Sequence, residues 1–189
     1  QQGFRSIAIV LMHAWNYPTH EQQLAALAEK IGFTQISVSH QVSPFIKIVS
    51  RGDTTVVDAY LSPLLRRYVA QVSQGLQQYV QKASDKPQLL FMQSNGGLTD
   101  ANSFQGKDSI LSGPAGGIVG AIATAEQAGF NKIIAFDMGG TSTDVAHYAG
   151  ELERSFETEI AGVRMRVPMM NIHTVAAGGG SVLFFDGMR

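Results

Sequence analysis

The sequence predicts an α/β fold, and three observations carry this prediction. Short strand-like apolar runs alternate with segments of helical spacing, which is typical of layered α/β proteins with a largely parallel sheet. Apolar residues make up 44% of the 189 residues and charged residues 15%, as in a globular core. The chain also contains 20 glycines, which are clustered rather than spread evenly. Such clustering indicates that glycine is required at particular places, which are therefore candidate functional segments.

Composition excludes several classes of partner. The formal net charge is −1 and no block of Lys or Arg stands out, so we expect neither a nucleic-acid nor a membrane-surface partner. The apolar stretch at residues 7–12 is too short to span a bilayer. Cysteine is absent, which excludes disulfides and thiolate chemistry and fits a reducing compartment. We therefore expect a cytoplasmic protein.

The first 50 residues are predicted to hold a strand, a helix and two further strands. Residues 6–12 (SIAIVLM) are almost continuously apolar, as in a strand covered on both faces. The following helix is predicted to begin at Thr19, which forms a capping-box pattern with Gln22, and to end at Gly32. The two further strands are predicted at residues 35–39 and 45–49.

A long helical pattern follows over residues 54–82 and contains Pro63. Because proline removes a backbone donor, either the helix is kinked there or Ser62 caps a second helix. Residues 88–92 (QLLFM) are predicted to form a buried strand that leads into a turn at residues 94–97.

The second half of the chain changes character near residue 130. Residues 112–128 are predicted to form a glycine-led helix, and residues 132–137 (KIIAFD) a buried strand. Consecutive antiparallel strands are then predicted at residues 143–149, 154–160 and 163–167. We therefore divide the chain into an α/β lobe segment, residues 1–130, and the start of a second lobe, residues 131–189.

The clearest functional signal is the run from Asp137 to Asp144 (DMGGTSTD). A predicted strand delivers Asp137 to its carboxyl end, and two glycines then bring backbone N–H groups close to an anion. A carboxylate beside a phosphate can hold a Mg²⁺-bound water or orient an attacking water. We predict a phosphate-binding hairpin with Asp137 as the catalytic residue and Asp137 and Asp144 as metal ligands. The predicted phosphate contacts are Gly139, Gly140, Thr141, Ser142 and Thr143.

The alternative for this run is a plain hairpin whose turn happens to be Gly-Gly. A turn alone does not require three consecutive hydroxyl residues between two aspartates. The run is neither a Walker A loop nor a dinucleotide fingerprint, because no Gly-Lys-Ser/Thr and no matching glycine spacing occurs in it.

Two more glycine clusters accompany the hairpin. Residues 112–117 (SGPAGG) lead into a helix, so Gly113, Gly116 and Gly117 are predicted to bind an anion at its N-terminus. Close packing of the helix on the sheet explains these glycines equally well. Residues 176–181 (AAGGGS) contain three glycines in a row, which indicates either a closely approached backbone or a mobile loop.

These motifs together resemble the hydantoinase A and 5-oxoprolinase family, within the actin-like ATPase superfamily. The resemblance covers nearly the whole chain, and residues 49–52 and 174–181 are more similar to 5-oxoprolinases than to N-methylhydantoinases. The segments that carry it are residues 58–63 (DAYLSP), 92–97 (MQSNGG), 111–117 (LSGPAGG), 136–145 (FDMGGTSTDV) and 174–181 (TVAAGGGS).

The resemblance implies a partial actin-like (ribonuclease H-like) ATPase fold, made of the end of one α/β lobe and the opening β-hairpins of the second. It implies the cofactors ATP and Mg²⁺ and the cleavage of 5-oxo-L-proline to L-glutamate, coupled to ATP hydrolysis. The alternatives are an ATP-dependent (N-methyl)hydantoinase, an acetone carboxylase subunit, a non-catalytic actin-like nucleotide switch, or a structural segment whose glycines only pack.

The resemblance also implies partners. Family members carry a first Asp-x-Gly-Gly-Thr hairpin that these 189 residues lack, so we expect a fragment that is inactive alone. The expected partners are a small cyclic amide substrate, the rest of the parent polypeptide, and a second copy or a hydantoinase B-type domain.

Overall fold

The computed structural model of the chain describes residues 3–77, 88–185 and 187. Helices and strands alternate in its first half, and short strands dominate its second half. In chain order the elements are β1 (Ser6–Ile9), α1 (Thr19–Ile31), β2 (Gln35–Val38), α2 (Ser39–Val42), α3 (Ile48–Gln77), β3 (Leu90–Met92), β4 (Leu98–Asp100), a 3-10 turn (Gly106–Asp108), α4 (Ser112–Gln127), β5 (Ile133–Met138), β6 (Thr143–Tyr148), β7 (Arg154–Ser155), β8 (Thr158–Ile160), β9 (Val163–Met165), β10 (Met169–Met170) and β11 (His173–Val175).

The first helix begins at Thr19 and ends at Gly32 as predicted, but it lacks the predicted capping box. Gly32 adopts φ 102°, and its N–H donates to the carbonyls of Ala28 and Glu29, which closes the last turn. Pro18 occupies the N-cap position in a helical conformation, and no side chain caps the helix. The predicted capping box is therefore wrong, because Thr19 already lies inside the helix.

Strands β1 and β2 pair in parallel, from Ser6 opposite Gln35 to Ile9 opposite Val38. Helix α3 packs against both strands. The strand predicted at residues 45–49 is wrong, since α3 begins at Ile48. Upstream of that helix the carbonyls of Phe45 and Ile46 accept hydrogen bonds from the Arg51 side chain, rather than from a neighbouring strand.

Helix α3 continues through Pro63, so the alternative of a second helix capped by Ser62 is wrong. The Ser62 hydroxyl instead donates to Asp58 Oδ1 at 3.1 Å and accepts from the Gly106 N–H at 3.0 Å. The predicted helix end at residue 82 lies outside the described residues. The strand predicted at residues 88–92 is the shorter β3, and the predicted turn at 94–97 joins it to β4, its antiparallel partner. The prediction that this strand is buried is wrong, since Leu90 is exposed and the other two residues are half-buried.

The second half of the chain is built on a three-stranded antiparallel sheet in the order β11-β6-β5. Helix α4 covers one face of this sheet. The core between them contains Ala115, Ile118 and Ile122 of the helix and Ala146 and Tyr148 of β6. The proposed boundary near residue 130 stays a prediction.

The strand predictions need three corrections. Among the described strands only β1 and β2 pair in parallel, because short turns join most of the others and favour antiparallel pairing. The strand predicted at 154–160 is two strands, of which β7 pairs with β10 and β8 with β9. Strand β5 is not buried on both faces: Ile134 and Phe136 are 72% and 64% exposed, because α4 covers only the opposite face.

Within residues 3–77 and 88–185, no helix is both long enough and apolar enough to cross a membrane.

Candidate functional site

The site is built around the hairpin that joins β5 to β6. The register places Met138 opposite Thr143 and Asp137 opposite Asp144. Four residues, 139–142, make the connection, and the Gly139 N–H donates to the Ser142 carbonyl at 2.9 Å. The hairpin predicted from the sequence is therefore confirmed, with Asp137 one residue before the end of its strand.

Directly opposite residues of an antiparallel pair project their side chains from the same face. Asp137 and Asp144 consequently form a carboxylate pair beside the turn. None of the ion pairs formed by the described residues includes either aspartate. Like charges in this arrangement repel, so the pair is suited to receive a cation.

Two carboxylates fit Mg²⁺ better than they fit a metal ion that takes all of its ligands from protein side chains. Carboxylate oxygens are the hard ligands that Mg²⁺ prefers, and Mg²⁺ usually takes one or two of them together with waters and phosphate oxygens. No group of three or more His, Cys, Asp or Glu residues that could hold a metal occurs in the described part of the chain. Asp144 is oriented by Thr174, whose hydroxyl donates to Asp144 Oδ1 at 2.6 Å.

Helix α4 reaches the carboxylate pair through Gly117. A β-carbon at Gly117 would lie 3.5 Å from Asp137 Oδ2, which is ordinary van der Waals contact. A β-carbon at Gly116 would instead lie 3.6 Å from Cγ of Met92, so this glycine packs on β3. No atom lies within 4 Å of the corresponding position at Gly113. The structure thus brings only Gly117, of the three predicted glycines, against Asp137.

The N-terminus of α4 has few donors left for an anion. The Ser112 N–H donates to the Ser109 carbonyl at 3.3 Å and the Ala115 N–H to the Leu111 carbonyl at 3.0 Å. Pro114 has no N–H. In the described part of the chain, the Gly113 N–H of this first turn has no recorded acceptor.

The third glycine cluster packs against the hairpin. The Gly179 N–H donates to the Gly139 carbonyl and the Gly180 N–H to the Gly140 carbonyl, both at 2.9 Å. A β-carbon at Gly178 would lie 2.6 Å from the Gly139 oxygen, closer than real β-carbons approach. The sequence left open a closely approached backbone or a mobile loop at residues 176–181. The structure shows the close approach, between this loop and the hairpin turn.

The hydroxyl residues of the hairpin differ in their surroundings. Thr143 is buried, and its hydroxyl donates to the Ala177 carbonyl at 2.6 Å, which ties the third cluster to the hairpin. Thr141 is exposed and Ser142 is half-buried. Neither of their hydroxyls has a recorded partner among the described residues, so both can turn toward a ligand.

A second polar cluster, which the sequence analysis missed, lies at the carboxyl ends of β1 and β2. Glu21 is fully buried and accepts hydrogen bonds from the Leu11 N–H at 2.8 Å, the Ser39 hydroxyl at 2.6 Å and the His40 N–H at 3.0 Å. Burial by itself would raise the pKa of Glu21, but these hydrogen bonds outweigh it and hold the pKa below its ordinary value of 4.5.

Arg51 completes this cluster. It is fully buried and donates to the Ser39 hydroxyl at 2.9 Å and to the carbonyls of Leu11 and Phe45 at 2.5 and 2.6 Å. Its side chain thus crosses from α3 to the loop after β1. Little in the sequence indicated that Arg51 is buried, since an arginine near a helix start is ordinarily a surface residue.

The sequence is similar to known proteins over nearly its whole length. The family described as Hydantoinase/oxoprolinase matches residues 51–189. The 5-oxoprolinase of Dictyostelium discoideum is 46% identical over 97% of the chain, which spans 15% of that protein. The caprolactamase subunit alpha of Pseudomonas jessenii is 32% identical over 98% of the chain, which spans 27% of that protein. The chain therefore spans about a seventh of its 5-oxoprolinase relative.

Two solved structures share the fold. The crystal structure of the ATP-dependent caprolactamase from Pseudomonas jessenii matches 99% of the chain with a TM-score of 0.82 and 30% identity, over 27% of that chain. The nucleotide-free structure of acetone carboxylase matches 92% of the chain with a TM-score of 0.78 and 25% identity, over 25% of that chain. The fold is thus a part of the actin-like ATPase fold, as the sequence resemblance implied.

Proposed function

Because the chain belongs to the hydantoinase/oxoprolinase family, we propose that it supplies one wall of the nucleotide site in an ATP-dependent enzyme that opens a cyclic amide. One observation carries the proposal. Three glycine clusters from separate parts of the sequence meet at the β5–β6 hairpin. Gly117 of α4 lies against Asp137, and the loop at residues 178–180 lies against the glycines of the turn. A hairpin that only reversed the chain direction would need neither Gly117 nor the loop at residues 178–180 beside it.

We propose 5-oxo-L-proline as the substrate and L-glutamate, ADP and phosphate as the products. The 46% identity to a 5-oxoprolinase supports this choice over the hydantoinase and acetone carboxylase alternatives. A five-membered lactam is a poor electrophile. Transfer of the γ-phosphoryl group to the amide oxygen breaks the bond to ADP and activates the carbon, to which a water then adds. The ring C–N bond breaks as the nitrogen takes up a proton, and a second water hydrolyses the resulting acyl phosphate to L-glutamate and phosphate.

The residues of this chain act on the phosphates in this proposal. The N–H groups of Gly140 and Thr141 and the hydroxyls of Thr141 and Ser142 bind phosphate oxygens, because phosphoryl transfer depends mainly on positioning and charge neutralisation. Asp137 and Asp144 would hold Mg²⁺, which offsets phosphate charge when bound. Asp137 also orients the attacking group.

The remaining expectations follow from this role. A single acidic hairpin is one wall of a two-walled family site, so the 189-residue chain alone is expected to turn over ATP negligibly. The other wall comes from the rest of the parent polypeptide. A second copy or a hydantoinase B-type domain is the proposed partner, in line with the subunit name of the caprolactamase relative. The cytoplasmic location stays a prediction from composition.

The experiment is a substrate panel on the intact protein that contains this chain. Phosphate release from Mg·ATP is measured with 5-oxo-L-proline, hydantoin, N-methylhydantoin, caprolactam and acetone with bicarbonate. We expect release to depend on 5-oxo-L-proline and to match L-glutamate formation one to one. If phosphate release depends on another compound of the panel, that compound is the substrate, and the proposed nucleotide site still stands.

Two other outcomes would overturn the proposal itself. Steady ATP hydrolysis that no amide or ketone stimulates would indicate a nucleotide switch. Absence of Mg·ATP binding by the intact protein, measured by calorimetry, would show that the glycine clusters only pack.

A further inference from the structure

The loop at residues 177–181, which we call the glycine strap, lies along one side of the hairpin turn. Its contacts to the turn are backbone hydrogen bonds in a single direction: the N–H groups of Gly179 and Gly180 donate, and the carbonyls of Gly139 and Gly140 accept, each at 2.9 Å. The strap therefore fixes the direction of two successive carbonyls in the turn.

Fixing a carbonyl also fixes an amide hydrogen. A trans peptide is planar, and the C=O of one residue and the N–H of the next point in opposite directions. Since the carbonyls of Gly139 and Gly140 point to the strap, the N–H groups of Gly140 and Thr141 point away from it. Within residues 3–77 and 88–185, neither of these two N–H groups has a recorded acceptor.

We propose that the glycine strap is a positioning device, which sets the N–H groups of Gly140 and Thr141 as a pair of donors for a phosphate group. Two successive backbone N–H groups that point to one side form a small concave anion site. This inference rests on the proposed function for the identity of the anion. The orientation of the donors rests only on the contacts between strap and turn.

The strap is itself held in place at several points. The Gly178 N–H donates to the Ser181 hydroxyl at 3.0 Å, and the Ser181 N–H donates back to the Gly178 carbonyl at 2.9 Å. The Thr143 hydroxyl donates to the Ala177 carbonyl at 2.6 Å. Two residues before the strap, Val175 of β11 is paired with Thr143 of β6. The strap therefore follows a strand of fixed register, and the two hydrogen bonds between Gly178 and Ser181 hold its ends together.

The three glycines of the strap are not equivalent. A β-carbon at Gly178 would lie 2.6 Å from the Gly139 oxygen and 2.7 Å from the Thr141 nitrogen. At Gly180 the nearest atom is the Gly140 oxygen at 3.0 Å, and at Gly179 it is the Gly139 oxygen at 3.7 Å. None of the three has a positive φ, so none requires glycine for that reason. They differ in how close a β-carbon would come to the turn.

This gradation provides the test: Gly178→Ala, Gly180→Ala and Gly179→Ala in the intact protein, with Gly120→Ala on α4 as an outside control in open space. We expect the KM for ATP to rise about tenfold or more in Gly178→Ala, because hydrogen bonds to a charged group are lost. The increase should be smaller in Gly180→Ala and smallest in Gly179→Ala. The KM for 5-oxo-L-proline should stay unchanged in all of them.

A second readout does not depend on activity. Amide hydrogen exchange over residues 136–145 is measured by mass spectrometry without nucleotide and with Mg·ATP. We expect faster exchange without nucleotide in Gly178→Ala than in Gly179→Ala, and weaker protection by Mg·ATP. A strap that only stabilises the fold would lower the melting temperature of both variants and leave the KM for ATP unchanged.

The outcomes are separable. Wild-type KM for ATP and wild-type exchange in Gly178→Ala would overturn the inference, as would equal effects in Gly178→Ala and Gly179→Ala. If the wild-type intact protein neither binds nor hydrolyses ATP, the proposed function fails. The exchange comparison without nucleotide then still decides whether the strap orders the turn, and Gly180→Ala serves if Gly178→Ala does not fold.

Discussion

The Asp137 carboxylate lies against Gly117 of helix α4, with Oδ2 3.5 Å from the position that a β-carbon at Gly117 would occupy. The pair joins two motifs that lie 20 residues apart in the sequence. A methyl group at Gly117 would therefore touch the carboxylate at an ordinary van der Waals distance. Helix α4 therefore sets one limit on where the Asp137 side chain can go.

The first prediction concerns this contact. Gly117→Leu should reduce ATP turnover by the intact protein about tenfold or more, because the larger side chain displaces the Asp137 carboxylate from its productive position. Gly120→Leu on the same helix is the control, since no atom lies within 4 Å of its β-carbon position. The idea fails if steady-state phosphate release is equal in the two variants.

The second prediction concerns Thr174, whose hydroxyl donates to Asp144 Oδ1. Thr174→Val keeps the shape of the side chain and removes the donor. We expect the Mg²⁺ concentration for half-maximal ATP turnover to rise about tenfold, which is the usual scale for losing an outer partner of a metal ligand. Thr158→Val on β8 is the matched control. A magnesium titration that is identical for wild type and Thr174→Val would show that this hydrogen bond does not position a metal ligand.

The third prediction is a pH dependence of local stability. The hydrogen bonds to Glu21 hold its pKa below 4.5, so its ionised form favours the folded state. This contribution is fully present above pH 4.5 and is lost as the pH falls through the lower folded pKa. Hydrogen exchange of peptides covering β1 and β2, corrected for the intrinsic pH effect, should accelerate in that range.

Glu21→Gln tests the same carboxylate. It should accelerate exchange of these peptides at neutral pH and flatten the acid dependence, whereas Glu29→Gln, on the exposed side of α1, should leave both as in wild type. If exchange still accelerates in acid in Glu21→Gln, other titrating groups cause the acid dependence.

Local sequence patterns predicted what local chemistry determines. The switch from apolar residues to Gly139 and Gly140 placed the hairpin correctly, and Gly32 ended α1 as predicted. The prediction failed where distant residues decide. Residues 45–49 have a strand-like composition, but the buried Arg51 side chain binds the carbonyls of Phe45 and Ile46 and leaves no strand there.

In the candidate site, too, the local motif was predictable and the contacts between distant segments were not. Asp137 was recognisable from its own neighbourhood, because glycines and hydroxyls follow it directly. The docking of Gly178 on the turn was not, since 39 residues separate Gly178 from Gly139 and no local pattern encodes their pairing. The Asp144–Thr174 hydrogen bond depends on the β6–β11 register in the same way.

The most direct test of the central claim is the ATP turnover of Asp137→Asn in the intact protein. The substitution keeps the shape of the side chain and removes the charge that, in the proposed site, would face Mg²⁺ and phosphate. We expect phosphate release to fall about 100-fold or more, with an unchanged melting temperature. Glu151→Gln, which removes a charge from the exposed turn after β6, should behave as wild type. Turnover by Asp137→Asn equal to that of wild type would show that Asp137 is a turn residue and that this hairpin is not the phosphate site.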